Sequence, residues 1–510
     1  MDRPSLWMVT ARDAPTFLPL QHDTAADVVV VGGGIAGLTA ALLLVRRGAR
    51  VVLLEAGRIG QRETGHTTAH VTEVIDTGYA RLESDFGREG AALAASSSRA
   101  AMDRIAAFAR EVPWPCGHAR VPAFLAARDA RQRRELEREL AAMRRAGLEA
   151  GWTEELPFPL EHQGAVRVEG QAQLQPSDYV AGLAELFRRE GGTLHEGTRV
   201  RGVEDGAPCT VRTDRAAVTA NDVVVLTNHP VSGRFGVHTK IAPYRTYAIA
   251  LGPLPGASPQ AGLLWDLDEP YHYIRTHETA GGTYLVVGGE DHKTGHPGAS
   301  AARFAALERF ARPLAPGAPV THRWSGQIIE PADGLPFIGK HPAADHVHDG
   351  TGFSGNGMTF GTLAGVILAD AVLGFPNPWA ALYDAGRVKP AAQARKFLSE
   401  NGDVLLRLAR DRIDRGEAGA DVRPGEGRLI RAGGRMLAVA RGDDGRLHVR
   451  SAVCPHLGCH VQWNGAERSW DCPCHGSRFE AAGSILNGPT TRELDDEAVR
   501  LQEADEPASP

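Results

Sequence analysis

The chain mixes two kinds of hydrophobic spacing. Near its start, Asp27-Val28-Val29-Val30-Val31 and Arg50-Val51-Val52-Leu53-Leu54 end in short unbroken apolar runs. Such runs predict parallel strands buried on both faces. Between them, Leu38 to Arg47 predicts an apolar helix closed by Gly48. Arg128 to Arg145 predicts a helix of the opposite kind, rich in charge, with Leu136, Leu140 and Met143 along one face. A helix is expected from Asp178 to Arg189 and a buried strand from Asp222 to Leu226. Tyr244 to Leu251, Tyr271 to Arg275 and Tyr284 to Val287 then alternate aromatic and polar positions, as strands with one face toward a cavity would. An apolar helix, Phe360 to Leu373, and a second helix, Ala391 to Arg412, follow. The short strands Arg428 to Ile430, Arg435 to Ala440 and Leu447 to Val449 predict a small antiparallel β unit, opened by Pro424-Gly425-Glu426-Gly427.

At 510 residues the chain exceeds one ordinary core, so two or three domains are expected. A net charge of −6 argues against a nucleic-acid or anionic-membrane partner. Val28 to Val45 carries no charge and approaches the length of a membrane span, but Gly32-Gly33-Gly34 interrupts it and Arg46-Arg47 ends it. A strand–turn–helix explains that stretch better, and no membrane span is expected. The first residues lack the charged and apolar regions of a secretory signal. Only Cys116 and Cys209 lie outside the segment holding the other cysteines, which is no disulfide framework and points to the cytoplasm.

Gly32-x-Gly34-x-x-Gly37 joins the first strand to its helix, and Glu55 ends the second strand. The glycines suit a tight turn, close approach of a pyrophosphate and helix-on-strand packing, with the helix N-terminus facing the phosphates. Glu55 is placed to accept a ribose hydroxyl, which serves NAD or FAD alike. Far downstream, Asp333-Gly334-Leu-Pro-Phe-Ile-Gly339 precedes Gly352-Phe-Ser-Gly355-Asn356-Gly357-Met358-Thr359 and an apolar helix. That second glycine-rich loop offers N–H donors to the electron-rich edge of a reduced flavin. From about residue 25 to 385 the chain resembles the D-amino-acid oxidase and glycine oxidase superfamily. The resemblance favours FAD. It implies cofactor contacts at Gly32, Gly34, Ile35, Ala36, Gly37, Glu55, Ala56, Thr67, Thr68, Val200, Asn228, Gly334, Gly355, Asn356, Gly357, Met358 and Thr359. Some relatives link FAD to a histidine near Thr64-Gly65. Ala69 falls at that position here, between His66 and His70, so noncovalent FAD is expected.

Cys454-Pro-His456-Leu-Gly-Cys459 and Cys472-Pro-Cys474-His475-Gly-Ser477 each pair a cysteine with a histidine. Two Cys and two His is also a zinc inventory, although zinc sites more often keep their cysteines in one pair and their histidines in the other. One of each per loop suits a [2Fe–2S] cluster with thiolates on one iron and imidazoles on the other. From about Asp421 to Leu494 the sequence resembles the Rieske family. That resemblance implies Cys454, His456, Cys472 and His475 as ligands and a disulfide between Cys459 and Cys474.

The expected architecture is an α/β Rossmann-like FAD-binding domain with an inserted α+β substrate domain, then a small all-β Rieske domain. The oxidoreductase would span 1–390, with nucleotide-binding parts near 25–80, 165–230 and 325–385 and a substrate sheet mainly at 235–325. A helical linker would occupy 391–420 and the Rieske domain 421–505. Arg245, Tyr247, Tyr271, Tyr273, Arg275 and His292 are the conspicuous substrate-sheet residues. In the resembling oxidases, Tyr and Arg on such a sheet hold a substrate carboxylate, for which the arginine fork is suited. Three functions compete: an amine or amino-acid dehydrogenase that passes electrons through the cluster to an acceptor, an oxygen-using flavin oxidase with a Rieske appendage, and an iron oxygenase. The third needs a separate two-His-one-carboxylate site, for which the sequence offers no constellation.

Overall fold

In the computed structural model, residues 4–231, 237–256, 259–295, 300–389 and 422–497 are described. The predicted helix at 391–412 and the last residues assigned to the Rieske domain lie outside them.

The apolar runs become the centre of a six-stranded sheet ordered Phe337–Lys340, Val347–Thr351, Asp222–Val225, Val28–Val31, Val51–Leu54 and Thr193–His195. All neighbours are parallel except the first pair. Both central valine-rich strands are buried throughout, which is why they carry no alternation. The helix Ile35–Arg46 begins one turn earlier than expected because the glycine turn itself ends at its N-cap, Gly34. The helix Gly357–Val372 returns from the far end of the chain and packs on Ile35–Arg46. Residues more than three hundred apart thereby share one core around the nucleotide cleft.

The second sheet has nine strands and its backbone order is Val320–Pro331, Ile241–Leu251, Gly282–Lys293, His272–Thr279, Leu263–Asp266, Ala119–Ala126, Ala165–Gln173 and His70–Val71, with Ala150–Thr153 paired on Ala165–Gln173. It therefore reaches well outside 235–325, and Ala165–Gln173 belongs to it rather than to the nucleotide sheet. The helix Ala130–Arg145 covers this region with Leu136, Leu140 and Met143 buried, as its pattern predicts.

The last module is two small sheets, Gly427–Ala432 with Arg435–Arg441 and Leu447–Ser451, and Gln462–Asn464 with Ser469–Asp471, Arg478–Glu480 and Ile485–Asn487. It is docked on the substrate sheet. Gln327 Nε2 donates to Gly476 O at 2.8 Å and Ser300 Oγ to Asn464 Oδ1 at 2.9 Å. Gly476 has φ +73°, and a Cβ there would lie 2.4 Å from Pro243 Cβ. Only glycine permits both that turn and that approach. Among the described residues no helix is long and apolar enough to cross a membrane.

Candidate flavin and iron–sulfur sites

A large cleft opens where the glycine turn, the His66–His70 loop and the returning Phe353–Met358 loop converge. The turn is shaped for close backbone approach: Gly32 has φ +111°, a Cβ on it would meet Leu226 O at 2.4 Å, and one on Gly37 would meet Gly32 O at 1.9 Å. Glu55 has a structural part in this turn, its two oxygens accepting from Gly33 N and Gly57 N, both at 2.7 Å. Arg58, Arg62 and Arg199 bring positive charge to the same cleft. Burial is the main cause that holds the Arg199 pKa below its usual value, followed by the charges of Arg62 and Arg201. A cradle of backbone amides flanked by crowded guanidiniums fits an anionic dinucleotide such as FAD.

Of the cofactor residues expected from the sequence, Gly32, Gly34, Ile35, Ala36, Glu55, Ala56, Thr67, Thr68, Val200, Asn228, Gly355, Asn356, Gly357 and Met358 line the cleft. Gly37, Gly334 and Thr359 are not among its lining residues. Gly37 serves helix-on-strand contact and Gly334 packs its turn against Thr77. Thr359 Oγ1 donates to Thr72 O at 2.9 Å, tying the returning helix to the histidine loop.

The substrate residues divide by strand face. Tyr271 and Tyr273 line the cleft, and the Tyr273 hydroxyl lies 2.6 Å from Thr246 Oγ1. Arg245, Tyr247, Arg275 and His292 do not line it, which corrects the expected carboxylate-binding cluster. On Ile241–Leu251, Thr246 faces the cleft, so its neighbours Arg245 and Tyr247 face away. Arg245 Nη2 instead donates to Glu467 Oε1 of the last module at 2.6 Å, and the Tyr247 hydroxyl donates to Ser300 at 2.8 Å. The ring of His292 stacks on Tyr247 at 5.6 Å. Arg275 is a strut: its Nη1 donates to Thr68 O, Ala69 O and Leu174 O at 3.1, 2.8 and 3.2 Å, fixing the loop in which Ala69 adopts φ +57°.

His66 and His70 both line the cleft. His66 Nδ1 lies 2.9 Å from Arg62 O, and its buried Nε2 has no hydrogen-bond partner among the described residues. His70 is held neutral, its pKa lowered to about 3 by burial and then by the charge of Arg275. The sequence also gave no sign that Trp265 and Thr246 line this region, nor that residues of the last module do.

At the tip of that module the two loops bring Cys454, His456, Cys472 and His475 together, all buried. Cys472 and Ser477 stand beside the Cys454 thiol. The His456 and His475 ring centroids are 4.8 Å apart at 86°. His475 Nδ1 is buried without a hydrogen-bond partner among the described residues, as a nitrogen reserved for a metal would be. Paired sulfurs on one side and paired imidazoles on the other fit the donor set of a Rieske cluster. Cys459 and Cys474 form a disulfide that joins the two loops.

This geometry defines a flavin-binding oxidoreductase fold with an iron–sulfur module docked on it. The chain matches the FAD dependent oxidoreductase family over residues 27–371 and the Rieske [2Fe-2S] domain over 417–499. It belongs to that FAD-dependent oxidoreductase family and carries a C-terminal Rieske domain with a [2Fe–2S] cluster. It is 31% identical to the Rieske 2Fe-2S iron-sulfur protein YhfW of Bacillus subtilis, covering 97% of each chain. Over 72% of its length it is 25% identical to the gamma-glutamylputrescine oxidoreductase of Escherichia coli, of which it covers 89%. The fold is similar to glycine oxidase from Geobacillus kaustophilus, with TM-score 0.62 and 23% identity over 71% of this chain and 99% of the other.

Proposed function

We propose that the protein oxidises an amine or amino acid at FAD and passes the electrons one at a time through its Rieske cluster to an acceptor. The observation that carries this reading is a column of imidazoles. His229 lines the flavin cleft, and its ring stacks on His238 at 5.0 Å. The ring of His238 is 5.4 Å from that of His456, which is 4.8 Å from that of His475. The column spans the interval between the cleft and the side of the cluster that the imidazoles would hold. Burial, with the neighbouring His238, His475 and His456, pushes the His229 pKa well down, so this ring stays neutral in the column.

Bound FAD would supply the redox chemistry, taking a hydride from the carbon beside the amine nitrogen and leaving an imine that water hydrolyses. The chain's own residues bind and orient. Tyr273 with Thr246, and Tyr271 beside them, offer hydroxyls to the substrate, and Trp265 supplies an apolar wall. His70, being neutral, adds no charge that would repel an amine. His66 Nε2 is an available hydrogen-bonding group. Neither Arg245 nor Arg275 clamps a carboxylate in the cleft, which favours an amine over an α-amino acid, in keeping with the amine named for the Escherichia coli relative.

Anaerobic titration with a panel of amines and amino acids tests the reading. An amine should bleach the flavin, and the cluster should then become reduced. Bleaching that leaves the cluster oxidised in excess substrate would contradict it.

A further inference from the structure

The flavin cleft is not built by the oxidoreductase module alone. Leu486, Asn487, Gly488, Thr490 and Thr491 of the Rieske module form part of its lining. They lie on the strand Ile485–Asn487 and on the residues that follow it.

This stretch is held against the cleft by both modules. Asn487 Nδ2 donates to Glu63 Oε1 at 2.7 Å, and Glu63 Oε2 in turn accepts from Gln327 N. Arg199, a cleft residue, donates from Nη2 to Ile485 O at 3.1 Å. Arg201, which does not line the cleft, donates from Nη1 to Thr491 O at 2.7 Å. Inside the Rieske module, Thr490 N donates to Ser477 Oγ at 3.3 Å and Arg478 Nη1 to Asn487 Oδ1 at 3.4 Å. A side chain on Gly488 would meet Val231 Cγ1 at 3.5 Å, so the stretch also packs on the end of the strand Asp222–Val225 and the residues after it. Amides and hydroxyls at this place are suited to a ribose or phosphate of a dinucleotide, and Arg199, which the stretch anchors, is one of the arginines that make the cleft positive.

We propose that residues 486–491 of the Rieske module are part of the FAD-binding site, so that the dinucleotide is enclosed between the two modules. Asn487, Thr490 and Thr491 contribute polar contacts to FAD, and FAD leaves only when this stretch lifts from Glu63, Arg199 and Arg201. The inference needs FAD and the docked Rieske module but not electron transfer between them, so it stands or falls separately from the proposed function.

The test uses the full-length holoprotein. FAD release is followed as the rise of free-flavin fluorescence after dilution, and the visible spectrum of the cluster is recorded on the same sample. Asn487→Ala removes a cleft residue, and Arg201→Ala loosens the stretch from outside the cleft. Both should release FAD about tenfold faster with the cluster spectrum unchanged, since each removes hydrogen bonds that hold the stretch in place. A mere loss of Rieske folding would erase the cluster spectrum first; Asn487→Ser, a gentler change, then gives the same comparison and should still release FAD faster than wild type. Release at the wild-type rate from variants that keep their cluster would overturn the proposal.

Discussion

Arg245 of the substrate sheet and Glu467 of the Rieske module form an ion pair at 2.6 Å, with side chains only 1% and 7% exposed. The other oxygen of Glu467 accepts from Arg478 at 2.6 Å, and Arg478 also pairs with Asp471 at 2.9 Å. Two guanidiniums and two carboxylates thus balance inside the interface between the modules. A buried network of this kind resists the loss of any one member, because the remaining charge is stranded away from water.

The first prediction follows from that. Glu467→Ala leaves Arg245 and Arg478 facing each other without their shared carboxylate. It should cost about 3–5 kcal/mol. Calorimetry should show the melting temperature falling. An unchanged melt would mean the pair contributes nothing.

A second prediction separates the two faces of the substrate sheet. Tyr271→Phe and Tyr273→Phe each remove a hydroxyl from the cleft and should slow anaerobic flavin reduction by about tenfold. His292→Ala, on the side away from the cleft, should leave that rate unchanged. Stopped-flow reduction of each variant by the same amine decides it. A slow His292→Ala with normal tyrosine variants would reverse the assignment.

Acid should weaken the fold through two buried histidines. Burial first, then the charge of Arg275, lowers both His70 and His277 from the usual 6.5 to about 3. Between those values the unfolded chain binds protons that the folded chain refuses, so stability rises with pH there and is lost as pH falls below about 6.5. Urea melts across pH 7 to pH 4 should show this decline. His70→Gln should make it shallower, and an equally steep decline would contradict the account.

The cluster's potential gives a fourth prediction. High-potential Rieske relatives set a hydroxyl at the position of Ser477 and a tyrosine two residues on. Here Ser477 stands beside Cys454, whereas Phe479 is fully buried and pairs across the sheet with Trp470. With one donor absent, the extra charge of the reduced state is less stabilised. The potential should lie in the lower or middle part of the roughly −150 to +300 mV Rieske range. Phe479→Tyr should raise it in protein-film voltammetry. A potential at the top of the range, unmoved by the substitution, would contradict this.

Sequence carried the local chemistry well and the long-range chemistry poorly. The cluster loops are legible because each Cys–His pair is fixed by a few residues of loop, and the glycine turn because strand, turn and helix are contiguous. Alternation along Ile241–Leu251 revealed two faces without saying which one faced the cleft. It could not, since the partner that claims Arg245 lies 222 residues away on another module. Arg275 misled for a related reason: an arginine that binds backbone carbonyls looks, in sequence, like one that binds a carboxylate. Residues 486–491 carry no motif at all, and only docking brings them to the cleft.

The central claim, electron passage from the flavin site to the cluster along the imidazole column, is tested most directly by rapid mixing with an amine under anaerobic conditions. Flavin bleaching is followed optically and the reduced cluster by freeze-quench electron paramagnetic resonance. Wild type should show bleaching first and the cluster signal afterwards. His238→Leu, which interrupts the stack between His229 and His456, should leave bleaching unchanged and delay the cluster signal. A cluster that stays oxidised in wild type, or one reduced just as fast in His238→Leu, would contradict the account.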